Sequence, residues 1–432
     1  MRNFAIIKEL PQAALARWAS IFFSLSVLTF LVSIAASQLC LTLASLLYFA
    51  HLLYAKPTPV IRFPPVKLPL ALFCVWTVIS LCFAEFPAAG GFTIRKLTLF
   101  LILLLTANLI SSARHLLFLF KALFIEAAVA GAVGAAQFAR QYRAVRVQHP
   151  HKIYLYMTVT RIVGFQGHWM NFGGQQMMMF AALAAFLLFA AKWRPVAPAA
   201  DDGRKQGKSR TRLWWIALAI VTLSILLNLT RGVWLGCFFA AVYLIARWRA
   251  KWLWALPVLI VLTLIAGPRM LQRREESVLH PSRDMSLTER FEMWGVGWRM
   301  IKKHPLVGVG PENIPGLYDF YLPPGKVAIL GYHDHLHDNF IQLAAERGLP
   351  CLAAWLWLMG AFLVYCVRVR RKLSRLKWVA DAGIAMWLAL MIEGVFEFNF
   401  GSSPVLMVFL FLISAPLVAE IIERPASAAQ IE

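Results

Sequence analysis

The chain has 432 residues, of which 60% are hydrophobic and only 15% charged. A soluble domain carries roughly 45–50% apolar and about 25% charged residues, and its core stops growing at about 250–300 residues, so this composition excludes an ordinary soluble fold and points to lipid as the solvent. The net charge of +22 is spread between apolar runs and gathers on no compact basic module, which argues against a nucleic-acid partner and leaves topology and attraction to anionic lipids and phosphates as its use.

A membrane helix takes roughly 17–25 mostly apolar residues. Runs that meet this rule, or nearly so, lie at about 19–36, 38–55, 67–84, 94–112, 115–139, 173–191, 213–229, 232–248, 252–267, 350–367, 378–397 and 404–423. The expected fold is therefore an all-α polytopic membrane protein of about 12 transmembrane helices. The first run is longer than the apolar part of a cleavable leader, and further runs follow it, so it reads as a retained span. Alternation puts Lys56, Arg62 and Lys67, the stretch Lys192–Arg212, Arg247, Arg249 and Lys251, the stretch Arg368–Lys377 and Arg424 on one side. Short loops rich in Lys and Arg stay in the cytoplasm, so both termini are expected there. The stretch 195–209 mixes Pro, Asp, Gly and Lys with no apolar period and reads as a flexible loop. All six cysteines (Cys40, Cys74, Cys82, Cys237, Cys351 and Cys366) fall within or at the edge of apolar runs and read as packing residues.

Two outer segments break the pattern. Residues 140–172 carry Arg140, Arg143, Arg146, Lys152 and Arg161 on the side that should be poor in positive charge; an anionic ligand or lipid headgroups would account for them. The other is a long, partly helical periplasmic loop between helices 9 and 10. The expected organisation is thus helices 1–9 in 1–267, the loop domain in 268–349, and helices 10–12 with a cytoplasmic tail in 350–432.

The long loop holds most of the chemistry. Phe291, Trp294, Gly297, Trp298 and Ile301 fall near helical spacing, which predicts an amphipathic helix over Arg290–Lys303 lying on the membrane surface. Gly308-Val-Gly310-Pro311 lacks the Lys-Ser/Thr pair of a phosphate loop and reads as a tight turn. His337–Arg347 reads as a helix stopped by Gly348 and Pro350. Before it stand His333, Asp334, His335, His337 and Asp338. Three readings are open for these residues: a transition-metal site, a neutral imidazole base, or a solvated polar loop. Arg231, in the turn Thr230-Arg231-Gly232, and Arg161 stand at the ends of apolar runs, where a guanidinium fork suits phosphate oxygens or simply anchors the helix at the headgroups. Lys121 and Glu126 within one run, and Glu393 and Glu397 near the outer end of another, are groups that a transporter would use.

Over about residues 155–420, and most densely over Arg290–Gly348, the chain resembles the O-antigen ligase and O-antigen polymerase family of bacterial membrane glycan-transfer proteins. Three features carry the resemblance. The first is the Thr230-Arg231-Gly232 turn. The second is an Arg…Trp…His-Pro-Leu-x-Gly-x-Gly run, here Arg290, Trp294 and His304–Gly310. The third is a His-Asn-x-Phe/Tyr-Leu-Gln-x-x-x-Glu-x-Gly signature, here His337-Asp-Asn339-Phe-Ile-Gln342-Leu-Ala-Ala-Glu346-Arg-Gly348. Asp338 is a departure in spacing, and the distance to Glu346 assigns His337 to the family position.

The resemblance implies a GT-C-like, inverting and metal-independent glycosyltransferase in the inner membrane of a Gram-negative bacterium, with its active site at the periplasmic face and no cofactor. Its donor would be an undecaprenyl-diphosphate-linked glycan and its acceptor lipid A-core. His337 would be the catalytic base, with Arg161, Arg231 and Arg290 on the donor diphosphate and His335, Asn339 and Trp294 in support. The His-x-His-Asp-Asn cluster is more similar to the ligases than to the polymerases. A polymerase or a protein O-oligosaccharyltransferase of the same family is the alternative, followed by a lipid-linked glycan transporter or a scaffold.

Overall fold

A computed structural model describes residues 12–57, 59–190, 206–255, 257–258, 285–326 and 334–424. The helices run in the order α1 (Gln12–Val27), α2 (Ile34–Tyr54), α3 (Lys67–Cys82), α4 (Gly91–Lys96), α5 (Leu101–Leu109), α6 (Ala113–Gln148), α7 (Ile153–Val159), α8 (Trp169–Phe189), α9 (Gln206–Asn228), α10 (Arg231–Arg249), α11 (Met285–Lys303), α12 (Ile314–Leu317), α13 (Asn339–Lys372), α14 (Lys377–Glu393) and α15 (Ser403–Glu423), with a 3-10 turn joining α4 to α5. There is no strand among the described residues. Among the described residues, eight helical stretches are long and apolar enough to cross a membrane: Ile34–Tyr54, Gly91–Leu109, Ala113–Gln148, Trp169–Phe189, Thr211–Asn228, Arg231–Trp254, Asn339–Lys372 and Ser403–Glu423. The chain is a polytopic helical membrane protein.

Several boundaries differ from expectation, each for a local reason. The first run, expected over 19–36, stops as a helix at Val27, and Ser33 caps the next helix by accepting a hydrogen bond from the Ala36 amide. The run expected over 115–139 continues to Gln148, so Arg140, Arg143 and Arg146 lie on a helical extension of a span. The run expected over 378–397 ends as a helix at Glu393, leaving Glu397 in the connection that follows. Most of the ninth expected run, 252–267, lies outside the described residues. So do His333 and most of the loop expected over 195–209, whose last residues already belong to α9.

Helices that are apolar all round belong at the centre of a bundle. α8 and α15 fit this rule: nearly every side chain from Gly173 to Leu187 and from Ser403 to Glu420 is buried. α14 packs between α8, α10 and α15. An aromatic cluster of Phe73, Phe100, Trp355, Phe400 and Phe409, with centroids 5.5–6.4 Å apart, ties α3, α13 and α15 to the α14–α15 connection. Each such pair adds about 0.5–1.5 kcal/mol beyond its buried area. The connection is therefore held firmly, which matters because it carries Glu397.

The long loop folds onto this end of the bundle. The buried face of α11 consists of Met293, Val296, Met300 and Ile301, packed with Leu336, Ile341, Ala344 and Ala345. Phe291 and Trp298 are 59% and 56% exposed. The helix is amphipathic as expected, but its large aromatic residues lie outside its packed face, which is built of thinner aliphatic and thioether side chains that let two helices approach closely.

α13 is interrupted where Gly348 takes φ 81, ψ 166, a region essentially closed to residues with a Cβ. The interruption frees helix carbonyls, and the Gly308–Gly310 turn satisfies them: the Val309 amide donates to Ala345 O at 2.9 Å and the Gly310 amide to Glu346 O at 2.8 Å. A Cβ on Gly348 would lie 1.9 Å from Leu306 O. Gly348→Ala is expected to destabilise the protein by more than the roughly 1–3 kcal/mol of backbone strain alone, read as a lower melting temperature in detergent; a variant that melts with the wild type would contradict this packing.

Candidate active site

His337 stands immediately before α13, with φ 49. A left-handed backbone is uncommon for a non-glycine residue, and such residues cluster at functional sites. The next residue explains how it is held: Asp338 is the N-cap of α13, and its Oδ1 accepts the Phe340 and Ile341 amides, both at 2.7 Å. Burial pushes the Asp338 carboxyl up to about 6, against the pull of those two amides. On the other side, the Leu336 amide donates to Gln342 Oε1 at 2.7 Å. Gln342 Nε2 in turn donates to Glu346 Oε1, which also accepts the Glu312 amide at 3.0 Å. Gln342, Glu346 and Gly348 thus form a scaffold that fixes the segment carrying His337.

Asn339 joins this segment to the α14–α15 connection. Its amide donates to Gly394 O at 2.7 Å, its Nδ2 to Asn399 Oδ1 at 2.6 Å, and its Oδ1 accepts the Phe400 amide at 3.1 Å. Asn399 Nδ2 donates to Glu393. Three hydrogen bonds to buried Asn339, backed by the one from Asn399 to Glu393, set the distance between two chain segments 60 residues apart.

Across that distance lies Glu397. Its Oε2 is 3.0 Å from His337 Nδ1 and 4.0 Å from Arg290 Nη2, and its Oε1 is 3.9 Å from His335 Nε2. The side chain is 8% exposed. Burial raises its pKa, but His337, His335 and Arg290 outweigh that and hold it down to about 2. The group is a buried carboxylate anion. His335 is held below the usual imidazole range by burial, with Glu397 opposing, so it is neutral at neutral pH.

The other two arginines approach from a separate part of the bundle. Arg161 donates from Nε to Thr158 O at 2.8 Å, reaches Thr230 Oγ1 from Nη1 at 3.4 Å, and lies 5.3 Å from the Trp169 ring centroid. Thr230 immediately precedes Arg231, the first residue of α10, after a turn in which Leu229 takes φ 58. The start of α10 abuts the end of α14: a Cβ on Gly232 would meet Glu393 Cγ at 3.3 Å and Phe396 Cβ at 3.6 Å, next to Glu397. Of the three arginines, Arg290 on α11 directly faces the His337–Glu397 pair, while Arg161 touches Thr230, beside Arg231 at the start of α10. Trp294, one turn after Arg290 on α11, packs edge-on against Phe291 at 5.3 Å.

Two members of this cluster were not identified as site residues from the sequence. Glu397 is legible only as an acidic residue at the end of an apolar run. His168, the N-cap of α8, stacks on Trp169 at 3.9 Å and lies within electrostatic reach of Glu397, His335, His337 and Arg161; burial holds its imidazole pKa down. Nothing in its sequence surroundings marks it.

Residues 216–356 match the family model described as O-antigen ligase. The match covers about a third of the chain. The matched stretch holds the Thr230–Gly232 turn, Arg290, Trp294, the His304–Gly310 run and the whole His337–Gly348 segment. Arg161, His168 and Glu397 lie outside it. Comparison of the chain with curated proteins gives no match.

His335, His337 and Glu397 also place three ligand atoms within 4.8 Å of one another, a spacing that a cation can bridge. An imidazole bound to metal has no lone pair left for a proton, so at His337 the metal and base readings exclude each other.

Proposed function

We propose that the protein is an inner-membrane glycosyltransferase that moves O-antigen glycan from a polyisoprenyl diphosphate carrier, undecaprenyl diphosphate, to lipid A-core at the periplasmic face. The observation that carries this reading is the His337–Glu397 pair with Arg290 beside it, set in a membrane protein that matches the O-antigen ligase family model over residues 216–356. The expected count of 12 spans, both termini in the cytoplasm, and an outer loop domain belong to the same proposal.

In this reading His337 Nδ1–H donates to Glu397, which fixes the tautomer and leaves Nε2 free as the base. Nε2 takes the proton of the acceptor hydroxyl as that oxygen forms its bond to the anomeric carbon. The bond from that carbon to the diphosphate oxygen breaks on the opposite face, so configuration inverts. Glu397 stabilises the imidazolium that results. Arg161, Arg231 and Arg290 bind the diphosphate and stabilise the charge that grows on it; the proton leaves His337 for solvent. Diphosphate is a good leaving group, and three guanidinium groups supply the charge that a metal otherwise would. His335 and His168, both neutral, are suited to hydrogen bonds with sugar hydroxyls. Asn339 positions Glu397 against His337, and Trp294 offers an aromatic face beside Arg290.

Purified protein in proteoliposomes tests this with lipid-linked glycan given alone, then with lipid A-core, each in the presence of chelator. A ligase forms glycan-extended lipid A-core only when both lipids are present, and chelator leaves the rate unchanged. Elongation of the lipid-linked glycan without acceptor would make the protein a polymerase, and loss of product with chelator would establish the metal reading.

A further inference from the structure

A pocket is lined in part by Phe398, the residue after Glu397. It is a partly open pocket walled by Phe73, Phe100, Phe398 and Phe400, with Lys96 and Arg347 as its cations. Arg347 is only 6% exposed. Its contacts are long: Nη1 to Thr77 Oγ1 at 3.5 Å, Nη2 to Glu346 Oε2 at 3.7 Å, and Cζ 5.6 Å from the Phe73 ring centroid. Its buried Nε has no hydrogen-bond partner. Of the nearby carboxylate oxygens, only Glu346 Oε2 faces Arg347, at 3.7 Å from Nη2 and beyond hydrogen-bond distance. Glu346 Oε1 takes the Glu312 amide and Gln342, and Glu312 Oε1 takes Thr93 at 3.0 Å and Lys96 at 3.2 Å.

A buried cationic donor left without an acceptor costs about 1–3 kcal/mol or more, and proteins retain such groups where a ligand satisfies them. An anion carried on an apolar or sugar body fits this lining, because oxygen atoms meet the guanidinium while the body meets aromatic rings. The pocket shares a wall with the active site: the Phe398 ring is 6.3 Å from that of His335, and Phe398 follows Glu397 directly. In the ligase reading the donor diphosphate is assigned to Arg161, Arg231 and Arg290, none of which lines this pocket. We propose that this pocket binds a phosphate group of the acceptor glycolipid and so holds the acceptor sugar over His337. This rests on the ligase reading, since it assigns the site to one of that reaction's two substrates.

Binding can be read without transfer, on the full-length protein in detergent. The probes are lipid A-core, the same lipid treated with phosphatase, phosphatidylglycerol and inorganic phosphate. Phosphorylated lipid A-core should bind about tenfold or more tighter than the phosphatase-treated form, the equivalent of one charge-assisted contact. Arg347→Gln and Lys96→Gln should each erase that difference and leave binding of the phosphatase-treated lipid unchanged. If Arg347→Gln does not fold, Lys96→Gln at the less buried position decides. Equal binding of the two lipids, variants that preserve the difference, or phosphatidylglycerol or inorganic phosphate competing as well as the glycolipid would overturn the proposal. A wild-type protein that discriminates the lipids yet transfers no glycan would instead overturn the ligase reading.

Discussion

Replacing His337 by alanine is expected to lower glycan transfer by roughly 10²–10⁴-fold, the usual contribution of a general base. The side chain is 14% exposed and touches Glu397 and His335, so its removal opens space at the site without disturbing the central helices. Its φ of 49 argues for a second variant: asparagine tolerates the left-handed region better than alanine and cannot take the proton. His337→Asn should lose as much activity as His337→Ala while melting closer to wild type. Transfer rates and melting temperatures of both variants check this. If either keeps more than about a tenth of the wild-type rate, His337 is not the base.

Glu397→Gln is expected to cost roughly 10²-fold or more, as when a carboxylate that orients and stabilises a catalytic imidazole is neutralised. The substitution keeps the shape and removes the charge that His337, His335 and Arg290 all face. It also has a signature in stability. The folded-state pKa of Glu397 is depressed from 4.5 to about 2, so its charge contributes stability above about 4.5 that is lost as pH falls toward 2. The wild type should therefore lose its stability advantage over Glu397→Gln across that window. Melting temperatures of the two proteins against pH test it; a gap that widens on acidification would reverse the assignment.

The membrane character of this fold was legible because continuous apolar runs of span length leave few alternatives to a helix in lipid. The break within α13 was legible too, since Gly348 and Pro350 are poor helix formers whose neighbours continue the helix. The face of α11 was not. Phe291 and Trp298 have the composition of core residues, yet the helix turns smaller Met293, Val296 and Met300 inward, a choice made by the closeness of α13. Helix ends near 28–33 and beyond residue 139 depended on capping and tertiary contact rather than on hydropathy.

The candidate site divides in the same way. His337 and Arg290 could be singled out because they stand in short motifs of fixed spacing. Glu397 could not, because its partner is 60 residues away and the contact is set by the Asn339 hydrogen bonds, which only the folded chain brings together. His168 depends on α8 entering the bundle beside α14, a matter of packing with no local pattern. The signature residues Gln342, Glu346 and Gly348 point to function in sequence but serve architecture in the structure, holding the loop that presents His337.

The most direct measurement is an experimental structure of His337→Asn with undecaprenyl diphosphate bound. The two phosphates should lie between Arg161, Arg231 and Arg290, with the terminal one facing residue 337 across the space left for the sugar. Diphosphate bound away from these three guanidinium groups, or at the opposite end of the bundle beside Arg370 and Lys372, would contradict the account.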